Sequence, residues 1–301
     1  MFGVTILGNN SALPAYNRHP TAQVVTLSDH LFLIDCGEGT QMQMNLYKIK
    51  RSRINHIFIS HLHGDHYFGL PGLITSYGLL GRNAELHLYA PAVLQDILNM
   101  QLNVSKTLLP YTLHFHALEN KTSILVDEES FSVECFKVLH RIDCWGFVFR
   151  EKKKPRKINI EAARKYHVPV EFFEELKMGK DFVRNDKTIS NELLTTANKP
   201  AKSYAYAADT IYDESIANKV SNVNVLYHEA TYLKDKLEKA KARFHSTSEQ
   251  AAMLAKLAHV KKLLIGHFSS TYETLDEFLT EAKEIFPTTE LALEGQTFMI
   301  I

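Results

Sequence analysis

Four ligand-type side chains fall within six positions in His61-Leu62-His63-Gly64-Asp65-His66. The string follows the apolar, β-branched Ile57-Phe58-Ile59-Ser60, so it begins where a strand should end. A turn there brings His61 and His63 together and sets Asp65 and His66 on the chain that follows. Imidazoles joined by one carboxylate suit Zn²⁺, with Mn²⁺ or Fe as alternatives. Gly64 is expected to let the backbone turn sharply enough for the four to converge. The chain carries 15 histidines in 301 residues, an excess that a metal site would partly explain.

Groups of this kind need rigid elements behind them. Short apolar runs recur at Val4–Leu7, Val24–Leu27, Leu31–Ile34, Ile54–Ser60, Leu86–Tyr89, Phe131–Leu139, Gly146–Phe149, Tyr204–Ala208, Val223–Tyr227 and Leu263–Ile265. Several end in Gly, Asp or His, as strands do when their tips carry polar groups. Helical patterns lie between them, most clearly over Ser246–Ala258 and Thr274–Ile285. The first opens with Ser246-Thr247-Ser248-Glu249, hydroxyls followed by an acid, which suits a helix N-terminus. Strand-rich halves with helices outside predict an α/β fold of two face-to-face sheets covered by helices.

Hydrophobic residues make up 45% and charged residues 23%, the balance of a folded chain rather than a disordered one. Thirty-four basic side chains match thirty-four acidic ones, which excludes polyanion binding through overall charge but leaves room for a local patch. Arg150–Lys157 reads REKKKPRK, with six basic residues to one acidic. It opens a charge-alternating segment running to about residue 202, which reads either as a solvated insertion or as a basic arm reaching a polyanion. Cys36, Cys135 and Cys144 form no CxxC pair and predict neither a disulfide framework nor a cysteine zinc site. The N-terminus lacks the basic region of a signal peptide, and no run approaches the ~20 apolar residues that span a bilayer. A cytoplasmic protein with no membrane association is the expectation.

The HxHxDH string, with the earlier Ile34-Asp35-Cys36-Gly37-Glu38, resembles the metallo-β-lactamase superfamily along nearly the whole chain. The resemblance implies that superfamily's αββα sandwich as a single hydrolase domain over residues 1–301, with an inserted basic arm at about 150–202. It places Asp35 behind the metals as a buttress. It further implies two Zn²⁺ per chain, one held by His61, His63 and His140, the other by Asp65, His66 and His267, with Asp209 bridging. Three more strings narrow the likeness. Pro14-Ala15-Tyr16-Asn17-Arg18, His228-Glu229-Ala230-Thr231 and His245-Ser246-Thr247 resemble the substrate loop, HEAT and HST motifs of the ribonuclease Z family.

That family trims tRNA precursors at the 3′ end, so the resemblance implies an endoribonuclease leaving a tRNA 3′-hydroxyl and a trailer 5′-phosphate. Two metals about 3.5–4 Å apart would activate the attacking hydroxide and bind phosphate oxygens. Asp65 is then the base or orienting group, His245 the proton donor to the leaving oxygen, and Glu229 the holder of the other His245 nitrogen. Arg18 and the arm residues Lys152, Lys153, Lys154, Arg156 and Lys157 become substrate contacts. His228 either binds substrate or orients its loop. A homodimer, with one subunit's arm serving the other's site, is implied by the same analogy. A phosphodiesterase acting on small or cyclic nucleotides is the alternative, since it needs the metals but no arm.

The chain departs from the family at Tyr16 for the usual Lys, at His19 for Asn, and at Thr271 near the usual Arg; Tyr16 could substitute stacking for charge. An arm-tip glycine–proline pair is absent from Val168-Pro169-Val170-Glu171. Trp145 reads as core packing behind His140 rather than a base-stacking platform. His114 and His116 share a face of one strand without a nearby acid, and fit a structural or surface pair better than a second metal site. His30, His56, His87, His167 and His259 read as scattered surface or satisfied residues.

Overall fold

Apolar runs of three to nine residues are too short for buried helices, and their β-branched and aromatic content favours strands. A computed structural model describes residues 1–207 and 209–301; Ala208, the expected last residue of the strand Tyr204–Ala208, lies outside the described residues. The runs form two seven-stranded sheets. The first has the order Thr297–Met299, Phe2–Gly8, Ala22–Leu27, His30–Ile34, Ile54–Phe58, Leu86–Ala90, Leu113–Ala117. Pairing is antiparallel up to His30–Ile34 and parallel beyond it. The second has the order Thr289–Leu291, Lys262–Gly266, Val225–Glu229, Ser203–Ala207, Cys144–Glu151, Phe131–Val138, Ser123–Asp127. Its first four strands run parallel.

The sheets meet through aromatic rings. Phe58 packs on Phe147 and Phe149 at centroid distances of 5.3 and 5.7 Å, and Phe32 meets Phe149 at 5.4 Å. Outside the first sheet, Leu33, Ile57 and Leu88 pack with Met44, Leu73 and Leu94 from the helices Thr40–Leu46, Leu70–Leu79 and Val93–Val104. Helices Ser248–Leu257 and Asp276–Ile285 pack on each other and on strands of the second sheet. The first of these begins later than its hydroxyl-rich opening suggests. Thr247 is the N-cap and forms a capping box with Gln250, while Ser246 donates its hydroxyl to the Thr210 carbonyl at 2.8 Å.

Residues 127–132 and 150–201 form a compact unit of their own, which takes in most of the segment expected as an arm. It contains the paired strands Lys157–Ile158 and Thr195–Thr196, the hairpin Phe182–Arg184 with Lys187–Ile189, and the short helices Ile160–Lys165, Phe173–Lys177 and Asn191–Leu194. Ala163, Val168, Leu176, Phe182 and Leu194 make its small core. The three cysteines are buried and unpaired. Among the described residues, no helix is long and apolar enough to cross a membrane.

Candidate metal centre

Strand ends converge as open α/β sheets make them converge, with polar groups just beyond the carboxyl tips of parallel strands. Asp35 follows His30–Ile34, the HxHxDH string follows Ile54–Phe58, Asp209 follows Ser203–Ala207, and His267 follows Lys262–Gly266. His140 lies beyond Phe131–Val138, and Glu229 closes Val225–Glu229. Asp35 and His267 adopt left-handed φ values of 55° and 60°, strained for side-chain-bearing residues and typical of positions fixed for a task. Gly64 stands at a helix start rather than in an isolated sharp turn. It opens the short helix Gly64–Tyr67, and a Cβ there would lie 2.3 Å from the Phe68 ring.

The seven expected ligands form two adjoining groups. His61, His63, His140 and Asp209 bring one donor atom each within 4.8 Å of the others, as do Asp65, His66 and His267. Nε2 of His61 and Nε2 of His140 approach Nδ1 of His63 at 3.0 and 3.1 Å, and the Nε2 atoms of His66 and His267 stand 3.3 Å apart. Two ligands each 2.0–2.1 Å from a tetrahedral zinc lie about 3.3 Å apart, so these spacings match ligands sharing an ion. Asp209 faces both groups. Its Oδ2 lies 3.6 Å from His61 Nε2 and 4.0 Å from His140 Nε2, whereas Oδ1 lies 3.4 Å from His66 Nε2 and 3.2 Å from His267 Nε2. Asp209 Oδ1 is buried without a hydrogen-bond partner, an unusual state for a carboxylate oxygen unless a cation completes it. The donor set suits two divalent cations.

A shell of acceptors sets the ring orientations. His66 Nδ1 donates to Asp35 Oδ2 at 2.8 Å, and that oxygen also accepts from the Ser60 hydroxyl at 2.8 Å and the Tyr206 hydroxyl at 2.7 Å. With Ser60 donating to Asp35, His61 Nδ1 donates to Ser60 Oγ at 3.0 Å. Thr231 likewise donates to Glu229 Oε2 at 2.7 Å and accepts from His267 Nδ1 at 3.0 Å. His140 Nδ1 donates to the Phe244 carbonyl at 2.9 Å. Each of these four rings thereby turns its Nε2 lone pair inward, the arrangement metal-binding imidazoles require.

The electrostatics point the same way. Burial opposes ionisation of Asp209, but the imidazoles of His267, His66 and His61 outweigh it and hold the carboxyl well below its usual range. Burial also opposes charge on His66, yet Asp209, Asp65 and Asp35 raise it well above its ordinary value. His63 falls to about 4, first through burial and then through His140, so its lone pair is free at neutral pH. The carboxylates draw positive charge into a buried place, and a cation would satisfy them.

On the rim stands His245. Its Nδ1 donates to Glu229 Oε1 at 2.9 Å, and Glu229 also accepts from the Thr210 and Thr231 amides, both at 3.0 Å. Burial works against the imidazolium, but Glu229 outweighs it and raises His245 to about 9. His245 borders an open cleft of about 430 Å³ with His63, Asp65 and Asp209. Arg141 and Phe68 also line it, which only their nearness in sequence to His140 and His66 could have signalled. The Ala12 amide donates to Asp65 Oδ2 at 2.8 Å, tying the first loop to the cluster.

Ribonuclease Z of Bacteroides fragilis is 45% identical over 296 residues, 98% of this chain and 97% of that protein. Ribonuclease Z of Bacteroides thetaiotaomicron is also 45% identical, over 99% of this chain and 95% of its own. The chain belongs to the ribonuclease Z family. Residues 2–285 also match the family described as Anti-Pycsar protein Apyc1, and the chain belongs to that family too. Among solved structures, the short form of human tRNase Z superposes with a TM-score of 0.73 at 26% identity, covering 99% of each chain. The metallo-β-lactamase fold protein YhfI of Bacillus subtilis shares the fold at a TM-score of 0.70 and 18% identity, covering 99% of this chain and 98% of its own.

Other positions suggested by the ribonuclease Z resemblance are differently placed. The Arg18 guanidinium is held by Asn10 Oδ1 at 2.8 Å and by the carbonyls of Tyr272 and Glu273, with Tyr16 against its face, so it anchors its own loop. His228 is fully buried and its Nδ1 donates to the Glu229 carbonyl at 2.6 Å, so it has no surface to offer a substrate. That excludes the first of its two expected roles. Trp145 is buried, with its indole N–H on the Glu119 carbonyl at 2.9 Å, as core packing requires. Within the second unit, Lys152 pairs with Asp127 at 2.7 Å and Arg156 Nε donates to Thr195 Oγ1 at 2.6 Å. Lys153, Lys154 and Lys157 are exposed.

Proposed function

We propose that this ribonuclease Z family member is the metal-dependent endoribonuclease that removes 3′ trailers from tRNA precursors, leaving a tRNA 3′-hydroxyl and a trailer 5′-phosphate. His61, His63 and His140 would hold one Zn²⁺ and Asp65, His66 and His267 the other, with Asp209 between. When bound, two such ions supply Lewis acidity that makes water nucleophilic near neutral pH and offsets phosphoryl charge. Asp65, fixed by the Ala12 amide, orients the attacking water through its carboxylate. His245 carries a proton on the nitrogen turned away from Glu229 and delivers it to the departing 3′ oxygen. Glu229 keeps that imidazole charged and aimed. The 2′-hydroxyl takes no part, in keeping with the 5′-phosphate product.

The observation that carries this reading is the pairing of the Asp209-centred cluster with the His245–Glu229 pair on the rim of one cleft. The exposed lysines of the second unit would supply phosphate contacts that position the tRNA without reading its sequence. A homodimer and a cytoplasmic location complete the proposal by analogy with the ribonuclease Z family. Incubation of the purified chain with a trailer-bearing precursor tRNA and Zn²⁺ or Mn²⁺ tests it. Cleavage that Asp65→Ala abolishes is expected. Hydrolysis of a cyclic nucleotide with the precursor left intact would overturn the substrate assignment.

A further inference from the structure

Away from the HxHxDH cluster, the margin of the first sheet holds a second gathering of imidazoles. Register places His56, His87 and His114 side by side on the strands Ile54–Phe58, Leu86–Ala90 and Leu113–Ala117. Neighbouring strands lie ~4.8 Å apart, and the rings accordingly stack at 4.9 and 4.8 Å, each pair tilted by 15°. His116 Nε2 lies 3.0 Å from His87 Nδ1. His114 Nε2 is screened from solvent without a hydrogen-bond partner, 3.3 Å from Glu85 Oε2. Both expectations for these histidines are therefore corrected. His56 and His87 do not stand singly, and His114 does have an acid beside it. The acid sits just ahead of the neighbouring strand Leu86–Ala90, where only the pairing register reveals it.

We propose that Glu85, His87 and His114 form a further divalent-metal site of the zinc, nickel or copper type, with His116 orienting His87. One donor atom from each of the three lies within 4.8 Å of the other two. Two imidazoles and one carboxylate are a donor set for borderline ions, and three protein ligands leave a position for water. When His87 Nδ1 donates to His116, the His87 Nε2 lone pair is left for the ion, which is how metal-binding imidazoles are usually oriented. Burial and the neighbouring imidazoles keep His87 and His116 below the ordinary histidine value, so both are neutral at pH 7. An ion here would join the sheet's edge strand to its neighbour, adding a cross-link to the backbone pairing and ring stacking already present at this margin.

Equilibrium dialysis of the intact chain against Zn²⁺ tests the site by difference. Glu85→Gln, an exposed position, and His114→Gln are each expected to bind one ion fewer per chain than the parent, whatever number the HxHxDH cluster retains. Amide exchange over residues 113–117 is expected to slow when Zn²⁺ is added to the parent and to stay unchanged in Glu85→Gln. Equal ion counts in the parent and both variants would overturn the proposal.

Discussion

Asp35→Asn removes one oxygen's charge from the most heavily used acceptor behind the cluster. Asp35 Oδ1 accepts from the Ser60 amide at 2.7 Å, and Oδ2 accepts from the Ser60 hydroxyl, His66 Nδ1 and the Tyr206 hydroxyl within 2.7–2.8 Å. An asparagine amide offers one oxygen and one NH₂. In either orientation at least one buried donor then faces another donor. Breaking a buried charged contact of this kind costs about 3–5 kcal/mol of stability. With the NH₂ in the Oδ2 place the His66 ring loses the acceptor that turns its Nε2 inward, and with it in the Oδ1 place that acceptor is a neutral amide oxygen. Loss of such a partner lowers metal affinity about 10–100-fold. At 1.36 kcal/mol per tenfold, that is about 1.4–2.7 kcal/mol. Urea unfolding of chelator-treated protein measures the first quantity, and competition with a chromophoric chelator measures the second. Tyr206→Phe is the control: it deletes one donor to Asp35 but leaves the His66 contact, so metal affinity should change less than about 3-fold on the same scale. The reasoning fails if folded Asp35→Asn binds metal as tightly as the parent, or if Tyr206→Phe loses as much.

Glu229→Gln should reduce single-turnover cleavage about 10²–10⁴-fold at neutral pH, the range of a lost proton donor. His245 is raised above its ordinary value, so its charge persists up to about pH 9 and is lost above it. The pair's contribution to stability is complete below the unfolded value of ~6.5 and disappears as pH rises through about 9. In Glu229→Gln the alkaline limb of the pH–rate profile should move down toward ~6.5; an unmoved limb would assign it to another group. Gly37→Ala should destabilise by about 1–3 kcal/mol and impair cleavage, because the new Cβ would lie 2.4 Å from the Asp65 carbonyl and 2.6 Å from Pro20. Gly64→Ala meets only the exposed Phe68 ring, which can swing aside, so thermal unfolding should show a smaller loss. Lys153→Ala combined with Lys154→Ala should weaken tRNA binding and lower the slope of log affinity against log salt by about 1.8, about 0.9 per lost phosphate contact. An unchanged slope would remove these lysines from the tRNA path.

Much of the centre could be read in advance because its ligands are written contiguously or at strand ends. His61, His63, Asp65 and His66 occupy six consecutive positions, and chain direction alone puts them at a parallel strand's carboxyl tip. The groups that orient them could not be read in this way. Ser60, Thr231 and Tyr206 are ordinary residues until the sheets stack and bring their hydroxyls to Asp35, Glu229 and the rings. Register was equally hidden: Glu85 and His114 are 29 positions apart, and only strand pairing makes them neighbours. Local signals were finer in the fold than in the sequence. Gly64, expected at a sharp turn, opens the short helix Gly64–Tyr67, and the expected acid Glu249 lies in the first turn of its helix while Gln250 beside it closes the capping box.

The central claim joins the cluster to one phosphodiester and one proton donor, and mapping both ends of the cut tests it. Two precursors of the same tRNA, with and without an encoded CCA, would be cleaved and the termini identified chemically. A single cut at the 3′ boundary of the tRNA, with a 3′-hydroxyl on the tRNA and a 5′-phosphate on the trailer, is expected from the CCA-less precursor. A 2′,3′-cyclic phosphate at the tRNA end, or cuts scattered through the trailer, would contradict water attack directed by Asp65 and completed by His245.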